Sequence, residues 1–340
     1  MDGNFYGTTI AGGTNITSEY GQGAGTVFKI TPTGVETVLH SFGGAPADGG
    51  GIGLGLVRGT DGNFYGDTRK GGANNSGIFF KVTSAGVETV LHSFGELTDG
   101  RNPSGGLTLG KDGDFYGTTL LGGASKLGII FKITQNGLET VLHDLGTYPD
   151  NVADPLPTSL IQGSDGSFYG TTSNSGRYDN TGSVFKITPE GAYTLLLSFL
   201  GSPDGSNPTA LAEGADGNFY GTTGHGGAGA GYGTVFKITP TGVETVLYSF
   251  GGSPDASSPN GLVLGADGNF YGTTYGGGAM NVGTLFKITP AGVYTLLYSF
   301  GGSPGGSFPN GLVLGSDGNF YGTTNGGGAN NSGTVFKLTL

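Results

Sequence analysis

Five aspartates recur at one position along this 340-residue chain, and their side chains could bind a ligand. They are Asp48, Asp99, Asp150, Asp204 and Asp255, and each follows the end of an apolar segment by five or six residues. These carboxylates could form a ring at the mouth of a central channel. There they could bind Ca²⁺, which takes several oxygen ligands, or a cationic or hydroxylated ligand. The plainer interpretation is turn chemistry, in which Asp accepts hydrogen bonds from its own backbone.

Four tyrosines lie in a second set of segments, which differ from copy to copy and are rich in Gly and Asn. They are Tyr20, Tyr178, Tyr232 and Tyr275. An aromatic ring on a polar loop can stack against a sugar, and variable loops on a rigid scaffold commonly carry binding sites. The alternative is that these rings cover the edges of sheets.

The histidines do not form a catalytic set. His40, His92 and His143 share one position, at which Leu197 stands in a later copy, so we interpret that position as packing. His225 stands in the loop "GHGGAGAGY", with no carboxylate or nucleophile close to it in sequence. A lone loop histidine could act as a general base, but it lacks the partner that such a role requires.

An enzyme is the alternative to a binding protein. A glycosidase needs two carboxylates about 5–10 Å apart, and five equivalent loop acids give no reason to select a pair. The most divergent copy carries the residues that an enzyme would use, Asp154, Arg177, Tyr178 and Asp179. We predict no catalytic residue, no assigned metal ligand and no cofactor, with Ca²⁺ as the ion that the loop acids could bind.

The stretch "DGNFYGTT" at residues 2–9 returns, with at most one residue changed, at 61, 112, 165, 216, 267 and 317. Such a period of about 50 residues is typical of repeat architectures. The Asp that opens each copy lacks the D-x-[DN]-x-[DN]-G pattern of an EF-hand, so we predict a structural turn. The lysine of "FK" also recurs in all seven copies and is predicted to lie on a solvated strand edge.

Residues 260–303 show the unit as four short segments rich in β-branched and aromatic residues, bounded by Gly, Pro, Asn and Asp. We name them A "GLVLG", B "NFYGTT", C "GTLFKIT" and D "VYTLLYSF". Asp-Gly joins A to B, and a short Pro-containing turn joins C to D. Nineteen of the 21 phenylalanines fall at three repeat positions, which we predict to form the core.

Four antiparallel strands in each of seven copies predict an all-β fold, a β-propeller of seven blades, with six or eight blades as alternatives. The first copy lacks strand A and the last lacks strand D. We predict one repeat domain over residues 1–340.

Composition excludes several classes of function. A net charge of −11 disfavours binding to nucleic acid or to an anionic membrane. The absence of cysteine excludes disulfides, thiolate metal sites and a cysteine nucleophile. No apolar run reaches the roughly 18 residues that a membrane-spanning helix needs, and we expect no signal peptide at the start of the chain.

The units "DGNFYGTTYGGG…GTLFKITPAGVYTLLYSF" resemble the GloVer tandem repeat of bacterial proteins, named for Gloeobacter and Verrucomicrobia. The resemblance covers essentially the whole chain. It implies a secreted or surface-attached bacterial protein and supplies no catalytic residue.

We therefore predict a non-catalytic extracellular repeat scaffold that binds carbohydrate or protein partners through its variable B–C and D–A loops. Repeats this similar are compatible with binding through avidity. The alternative is a structural subunit of a surface layer or filament, which would self-associate through open strand edges. A lyase or glycosidase is the third hypothesis. We expect no nucleic-acid partner.

Overall fold

The computed structural model describes residues 3–14, 23–44, 46, 48–53, 55–95, 98–146, 157–173, 181–229 and 231–339. All the regular secondary structure assigned in this part of the chain is β-strand. This part therefore contains no helix of the length and apolarity that crossing a bilayer requires.

The strands form seven antiparallel sheets, numbered here as blades 1–7 in chain order. Blade 1 contains β1 (Phe5–Thr9), β2 (Thr26–Ile30) and β3 (Glu36–Ser41). Blade 2 contains β4 (Gly49–Ile52), β5 (Val57–Arg58), β6 (Phe64–Gly71), β7 (Ile78–Val82) and β8 (Glu88–Ser93). Blade 3 contains β9 (Gly100–Leu109), β10 (Phe115–Gly122), β11 (Ile129–Ile133) and β12 (Glu139–Asp144). Blade 4 contains β13 (Pro157–Gln162), β14 (Phe168–Thr172), β15 (Ser183–Ile187) and β16 (Tyr193–Ser198).

The last three blades follow the same order. Blade 5 contains β17 (Ser206–Glu213), β18 (Phe219–His225), β19 (Thr234–Ile238) and β20 (Glu244–Ser249). Blade 6 contains β21 (Ala256–Leu264), β22 (Phe270–Gly277), β23 (Thr284–Ile288) and β24 (Tyr294–Ser299). Blade 7 contains β25 (Ser307–Leu314), β26 (Phe320–Gly326) and β27 (Thr334–Leu338).

The predicted fold class, an all-β, seven-bladed β-propeller, is confirmed. Strands follow one another as A-B-C-D within a sheet, with B, C and D in blade 1 and A, B and C in blade 7. In blade 2, strand A is interrupted, so that β4 and β5 each pair with β6.

The chain divides into two compact units, with a boundary that runs through blade 4. One unit contains blades 1–3 and the other contains blades 5–7. That residues 1–340 form a single repeat domain stays a prediction.

Strand A is longer than its apolar residues predict. In blade 6 it begins at Ala256, and its register with β22 shifts between Pro259 and Leu262. The polar residues ahead of the shift looked like loop in the sequence, but they pair with the end of strand B. As a result Asp255 directly precedes a strand, and Tyr275 lies within β22.

The repeated "FYG" of strand B is explained by packing on both sides of the strand. Gly272 faces Phe286 of strand C, and a Cβ at Gly272 would come within 2.6 Å of the phenyl ring. The tyrosine stacks on the phenylalanine of the next B strand, with ring centroids 3.8–4.5 Å apart. This contact recurs in the pairs Tyr6–Phe64, Tyr65–Phe115, Tyr116–Phe168, Tyr169–Phe219, Tyr220–Phe270 and Tyr271–Phe320.

The repeated Asp is a structural turn residue, as predicted. Asp216 accepts hydrogen bonds from the Asn218 side chain at 2.7 Å and from the Tyr220 hydroxyl at 2.9 Å. Burial opposes ionisation of Asp216, but these bonds outweigh it and hold the pKa of the carboxyl below its usual value. In blades 2–6 the carboxylate thus fixes the tyrosine whose ring packs on the next blade.

The repeated lysine is predicted to lie on a solvated strand edge, but in several blades its ammonium group lies close to the repeated Asp. Lys132 Nζ lies 2.9 Å from Asp112 Oδ2, and Lys186 Nζ lies 2.8 Å from Asp165 Oδ2. The lysine therefore adds a cation from strand C to the carboxylate of the A–B turn. Such partly exposed pairs contribute little to stability, typically below about 1 kcal/mol.

The phenylalanines form the core, as predicted. Sixteen of the nineteen repeat-position phenylalanines are buried, and the exceptions lie in the terminal blades at Phe5, Phe28 and Phe336. A terminal blade has fewer neighbours within its own unit, so its B and C strands keep part of their surface exposed.

Asp67 breaks the repeat at a buried position of strand B. The other blades carry threonine there: Thr8, Thr118, Thr171, Thr222, Thr273 and Thr323. Thr222 Oγ1, for example, donates a 2.7 Å hydrogen bond to the carbonyl of Asn260 in the next blade. Asp67 is 2% exposed, and neither carboxylate oxygen has a hydrogen-bond partner among the described residues. Burial raises its pKa to about 7, although Arg69 opposes the shift.

The tyrosine stack predicts the result of two substitutions at one residue. Tyr220→Ala removes a fully buried ring and should lower the free energy of unfolding by about 3–5 kcal/mol. Tyr220→Phe keeps the ring and loses the bond to Asp216, so it should cost about 1–2 kcal/mol. Urea denaturation followed by tyrosine fluorescence and circular dichroism measures both. Equal losses in the two variants would show that the hydroxyl, and not the ring, joins the blades.

The raised pKa of Asp67 predicts a pH-dependent gain in stability for Asp67→Thr. Below about pH 4 the carboxyl is protonated in both states. Between about pH 4 and 7 the unfolded chain releases the proton that the folded chain keeps, so wild-type stability falls as pH rises. The advantage of Asp67→Thr should therefore grow over this interval by up to about 4 kcal/mol, at about 1.4 kcal/mol per pKa unit.

Urea midpoints at pH 4, 6 and 8 test this expectation. Asp267→Asn is the matched control, because hydrogen bonds hold the pKa of Asp267 below its usual value despite the opposing effect of burial. The control should gain nothing as pH rises. An advantage of Asp67→Thr that is equal at all three pH values would show that Asp67 is ionised in the fold.

Candidate functional site

The two candidate tyrosines within the described residues are both partly exposed. Tyr275 is 49% exposed, and its ring stacks on Phe308 with centroids 4.7 Å apart and an interplanar angle of 25°. Tyr232 is 41% exposed and lies over Gly252, where a Cβ would come within 2.5 Å of the ring. Tyr20 and Tyr178 lie outside the described residues.

The pair Tyr275 and Phe308 joins blade 6 to blade 7. Phe308 adopts a positive φ of 54°, and its N–H donates a 2.7 Å hydrogen bond to the carbonyl of Val282. At the Phe308 position blades 2, 3, 5 and 6 carry Gly51, Asn102, Asn207 and Ser258, and the spacing of the sequence gives Leu156 in blade 4. At the Tyr275 position the other blades carry Ile10, Arg69, Leu120, Ser173, Gly224 and Asn325. An aromatic pair at these two positions therefore occurs at this junction alone in the sequence.

Phe308 is a site residue that the sequence interpretation missed. Its signal is that it is one of two phenylalanines outside the repeated core positions. A positive φ is uncommon for a bulky residue, so the side chain is held there by its surroundings.

The candidate aspartates make the backbone bonds that turn chemistry predicts. Asp99 Oδ1 accepts from the N–H of Gly100 at 2.6 Å, and Oδ2 accepts from the N–H of Gly95 at 3.1 Å. Asp48 makes the equivalent bonds with Gly43 and Gly49.

The later aspartates differ in their partners. Asp255 accepts from the N–H of Gly251 at 2.9 Å and from the Tyr248 hydroxyl at 3.0 Å. Asp204 precedes β17, and its carbonyl accepts from Thr234 Oγ1 at 3.1 Å. Asp150 lies outside the described residues, as do the enzyme candidates Asp154, Arg177, Tyr178 and Asp179.

Two of these aspartates also pair with histidines of strand D. His40 Nε2 lies 3.3 Å from Asp48 Oδ2, and His92 Nε2 lies 3.2 Å from Asp99 Oδ2. The interpretation of this position as packing alone is wrong for His40 and His92, although each ring also packs edge-on against a phenylalanine. The carboxylates of Asp48 and Asp99 are thus held beside strand D. Their placement at the mouth of a channel stays a prediction.

A glutamate from the next blade completes each pair. Glu139, the first residue of β12, places Oε2 3.6 Å from His92 Nε2. Glu88, the first residue of β8, occupies the same position beside the preceding pair. We call His40, Asp48 and Glu88 cluster I, and His92, Asp99 and Glu139 cluster II. Each residue of a cluster offers one potential ligand atom, and the three atoms of a cluster lie within 4.8 Å of one another.

Cluster II lines an open cavity of about 460 Å³. The side chains of Asp99 and Glu139 are only 8% and 9% exposed, and that of His92 is 22% exposed. Ser93, Thr98 and Val141 complete the wall of the cavity. Two carboxylates and an imidazole thus meet at a site that is shielded on the protein side and open on the other.

Burial and mutual repulsion give the two carboxyls of each cluster different pKa values. Burial opposes ionisation of Asp99, but the bonds from His92, Glu139 and Gly100 outweigh it and lower its pKa. Burial and the charge of Asp99 raise the pKa of Glu139 well above its usual value. In cluster I, burial and the charge of Asp48 raise the pKa of Glu88 to about 7. Each cluster therefore combines an ionised Asp with a Glu that retains its proton more readily.

The corresponding junctions of other blades have different chemistry. Leu197 stands where a histidine would complete a set with Asp204 and Glu244. Tyr248 stacks on Tyr294 with centroids 4.3 Å apart, and His143 stacks on Tyr193 at 4.2 Å. Sequence reasoning missed Glu88 and Glu139. A comparison of the histidine, aspartate and glutamate positions across all blade junctions would have shown that only two junctions carry all three residue types.

His225 belongs to blade 5, whereas both clusters belong to blades 1–3. It is the exposed last residue of β18, and its carbonyl accepts a 2.9 Å hydrogen bond from Thr223 Oγ1.

Solved structures with the same fold cover almost the whole chain. Virginiamycin B lyase from Staphylococcus aureus shares 16% identity at a TM-score of 0.64, over 99% of both chains. A putative 6-phosphogluconolactonase from Bacteroides uniformis shares 16% identity at a TM-score of 0.63, over 99% of this chain and 93% of its own. A periplasmic gluconolactonase from Pseudomonas aeruginosa shares 17% identity at a TM-score of 0.58, over 98% and 95%. At such identities the likeness shows the fold alone.

The sequence itself identifies a family. No curated protein matches it significantly. The model of the Gloeobacter/Verrucomicrobia repeat, in contrast, matches residues 1–156 and again residues 156–340. The two matches together cover the entire chain, so this protein belongs to the Gloeobacter/Verrucomicrobia repeat family.

Proposed function

We propose that this protein is a non-catalytic repeat scaffold of the bacterial cell surface that binds carbohydrate through aromatic side chains of its variable segments. The observation that carries the proposal is the half-exposed Tyr275, whose ring stacks on the partly buried Phe308. Both residues depart from the repeat at the same junction, whereas the frame around them is nearly constant.

The geometry of the pair suits a sugar ring. Phe308 supports one face of Tyr275, so the tyrosine is already held in one orientation and loses little conformational entropy when a ligand binds. A tyrosine combines a large apolar surface with a hydroxyl, which matches a sugar that presents C–H groups on its face and hydroxyls at its edge. Exposed Met280 on the same B–C loop adds apolar surface, at 65% exposure.

Amide side chains lie in the same segments as the pair, with Asn281 in the loop after Tyr275 and Asn310 two residues after Phe308. Asn281 Oδ1 accepts the N–H of Gly277 at 2.8 Å, and Asn310 Nδ2 lies 3.3 Å from Asn325 Oδ1. These amides retain further donors and acceptors that could bond to hydroxyls. The net charge of −11 favours a neutral or cationic carbohydrate over an anionic polysaccharide.

Catalysis has less support. The lyase and lactonase names belong to proteins that share 16–17% identity with this chain, so no activity transfers from them. A surface-layer subunit is the remaining alternative, and the binding experiment below distinguishes it from a carbohydrate-binding scaffold.

The proposal predicts that Tyr275→Ala weakens carbohydrate binding about tenfold, because a stacked aromatic contact contributes roughly 1–1.5 kcal/mol. Neutral glycans selected on an array, with and without Ca²⁺, would be titrated by calorimetry against the purified chain. Tyr298→Ala is the matched control, since Tyr298 is 50% exposed but lies on strand D, outside the variable segments.

Three outcomes would contradict the proposal. Binding that both variants lose equally would show that no particular tyrosine matters. Binding that requires Ca²⁺ would assign the ligand to the loop aspartates. A blank array, with sheets or filaments of the same sample in electron micrographs, would favour the structural subunit.

The supporting role of Phe308 predicts a second result. Phe308→Asn introduces the residue that blades 3 and 5 carry at this position as Asn102 and Asn207, both with positive φ. The fold should therefore be retained, while Tyr275 loses its support and affinity falls by a few-fold. Calorimetry and thermal melting of the same sample separate the two effects. Unchanged affinity would mean that Tyr275 binds without the pair, or not at all.

A further inference from the structure

Cluster II brings together the donor atoms of a transition-metal site. It offers one imidazole nitrogen from His92 and carboxylate oxygens from Asp99 and Glu139. Imidazole with carboxylate suits Zn²⁺ and neighbouring divalent ions, whereas Ca²⁺ takes six to eight oxygens, roughly twice as many ligands as this site holds. The donor set therefore differs in kind from a calcium site built of loop aspartates alone.

The spacing of the donor atoms agrees with tetrahedral coordination. Zinc bonds of about 2.0–2.1 Å place the ligand atoms of a tetrahedron about 3.3–3.4 Å apart. His92 Nε2 lies 3.2 Å from Asp99 Oδ2 and 3.6 Å from Glu139 Oε2. The third distance, between the carboxylates, is within 4.8 Å, so a small movement of Glu139 would complete the geometry.

Glu139 carries a buried, incompletely bonded carboxyl, as Glu88 and Glu244 do at the same repeat position. Its side chain is nine-tenths buried, and Oε1 has no hydrogen-bond partner among the described residues. Burying a carboxylate oxygen without a partner costs free energy, which a bound cation would offset. Asp99, in contrast, is oriented by the N–H groups of Gly95 and Gly100, as expected for a ligand with supporting bonds.

We propose that His92, Asp99 and Glu139 bind a divalent ion of the Zn²⁺ class, which links strand D of blade 2 to strand D of blade 3. The fourth coordination position faces the cavity, where water or a ligand atom would complete the tetrahedron. This proposal is independent of the carbohydrate site, which lies at the junction of blades 6 and 7.

Cluster I repeats the site one junction earlier. His40 Nε2 lies 3.3 Å from Asp48 Oδ2, and Glu88 Oε1 is buried without a hydrogen-bond partner among the described residues. The side chains of His40 and Asp48 are 21% and 20% exposed, so Asp48 is more open to water than Asp99. We expect cluster I to bind the same ion more weakly, because water competes better for its ligands.

The chain supplies its own test residues at the histidine position. His92→Leu introduces the residue found at Leu197, which the same fold accommodates. Leu197→His makes the reverse change and completes a third set with Asp204 and Glu244. His225→Ala removes a histidine outside the clusters and is the matched control.

The experiment titrates ZnCl₂ into the metal-free full chain at pH 7.5, by calorimetry and against a chromophoric chelator, with CaCl₂ and MgCl₂ in parallel. Saturable zinc binding is expected in the wild type, with loss of the tighter site in His92→Leu. Leu197→His should gain a site, and His225→Ala should bind as the wild type does. Melting temperature should rise with zinc in proportion to the sites filled, because the ion binds only the folded chain.

Cobalt gives a second measurement. Co²⁺ in a tetrahedral site absorbs in the visible range, and in His92→Leu that band should fall to the weaker contribution of cluster I. Circular dichroism confirms that each variant is folded.

Several results would overturn the proposal. They are the absence of saturable zinc binding, calcium binding tighter than zinc binding, and zinc uptake that is unchanged in His92→Leu or lost equally in His225→Ala. Calcium binding tighter than zinc binding would make the clusters oxygen-ligand sites, and the other results would leave them as His–Asp pairs beside a glutamate that bind no zinc.

Discussion

In blades 1–6 the tyrosine of strand B packs face to face, at a moderate tilt, against the phenylalanine of the next B strand, and other repeated residues hold it there. The Asp of the A–B turn accepts a hydrogen bond from the tyrosine hydroxyl, as between Tyr220 and Asp216. The following glycine makes room for the phenyl ring of strand C, as Gly272 does for Phe286. The motif varies little because its Asp, Phe, Tyr and second Gly depend on one another's contacts, so a change at one of them disturbs both the turn and the blade junction.

Function is then restricted to positions that this contact does not use. The ends of strand B and the start of strand A vary, and there Tyr275 and Phe308 form a pair absent from the other copies. Residues of neighbouring D strands that face each other across a junction vary together. Where the next strand D begins with tyrosine, the contact across the junction is a stack, as between Tyr248 and Tyr294. Where it begins with glutamate, the contact with His92 is polar.

Part of the candidate site could be predicted from sequence. Tyr275 was identified as an exposed ring on a variable segment, and Asp99 as a loop acid with backbone bonds. Phe308 was missed because the polar residues around it looked like loop, whereas they extend strand A. Glu139 was missed because it opens an ordinary strand D. His92 looked replaceable by leucine, since its partners come from a different loop and a different blade.

The sequence by itself determined the repeat length, the four strands of each unit, the turns and the all-β class. Each of these depends on residues that are close together in the chain, and seven copies repeat the same pattern. The tertiary structure alone decided which side chains meet across a junction. His92 and Glu139 are about one repeat apart, and only the tilt and register of one blade against the next place an imidazole beside a buried carboxylate.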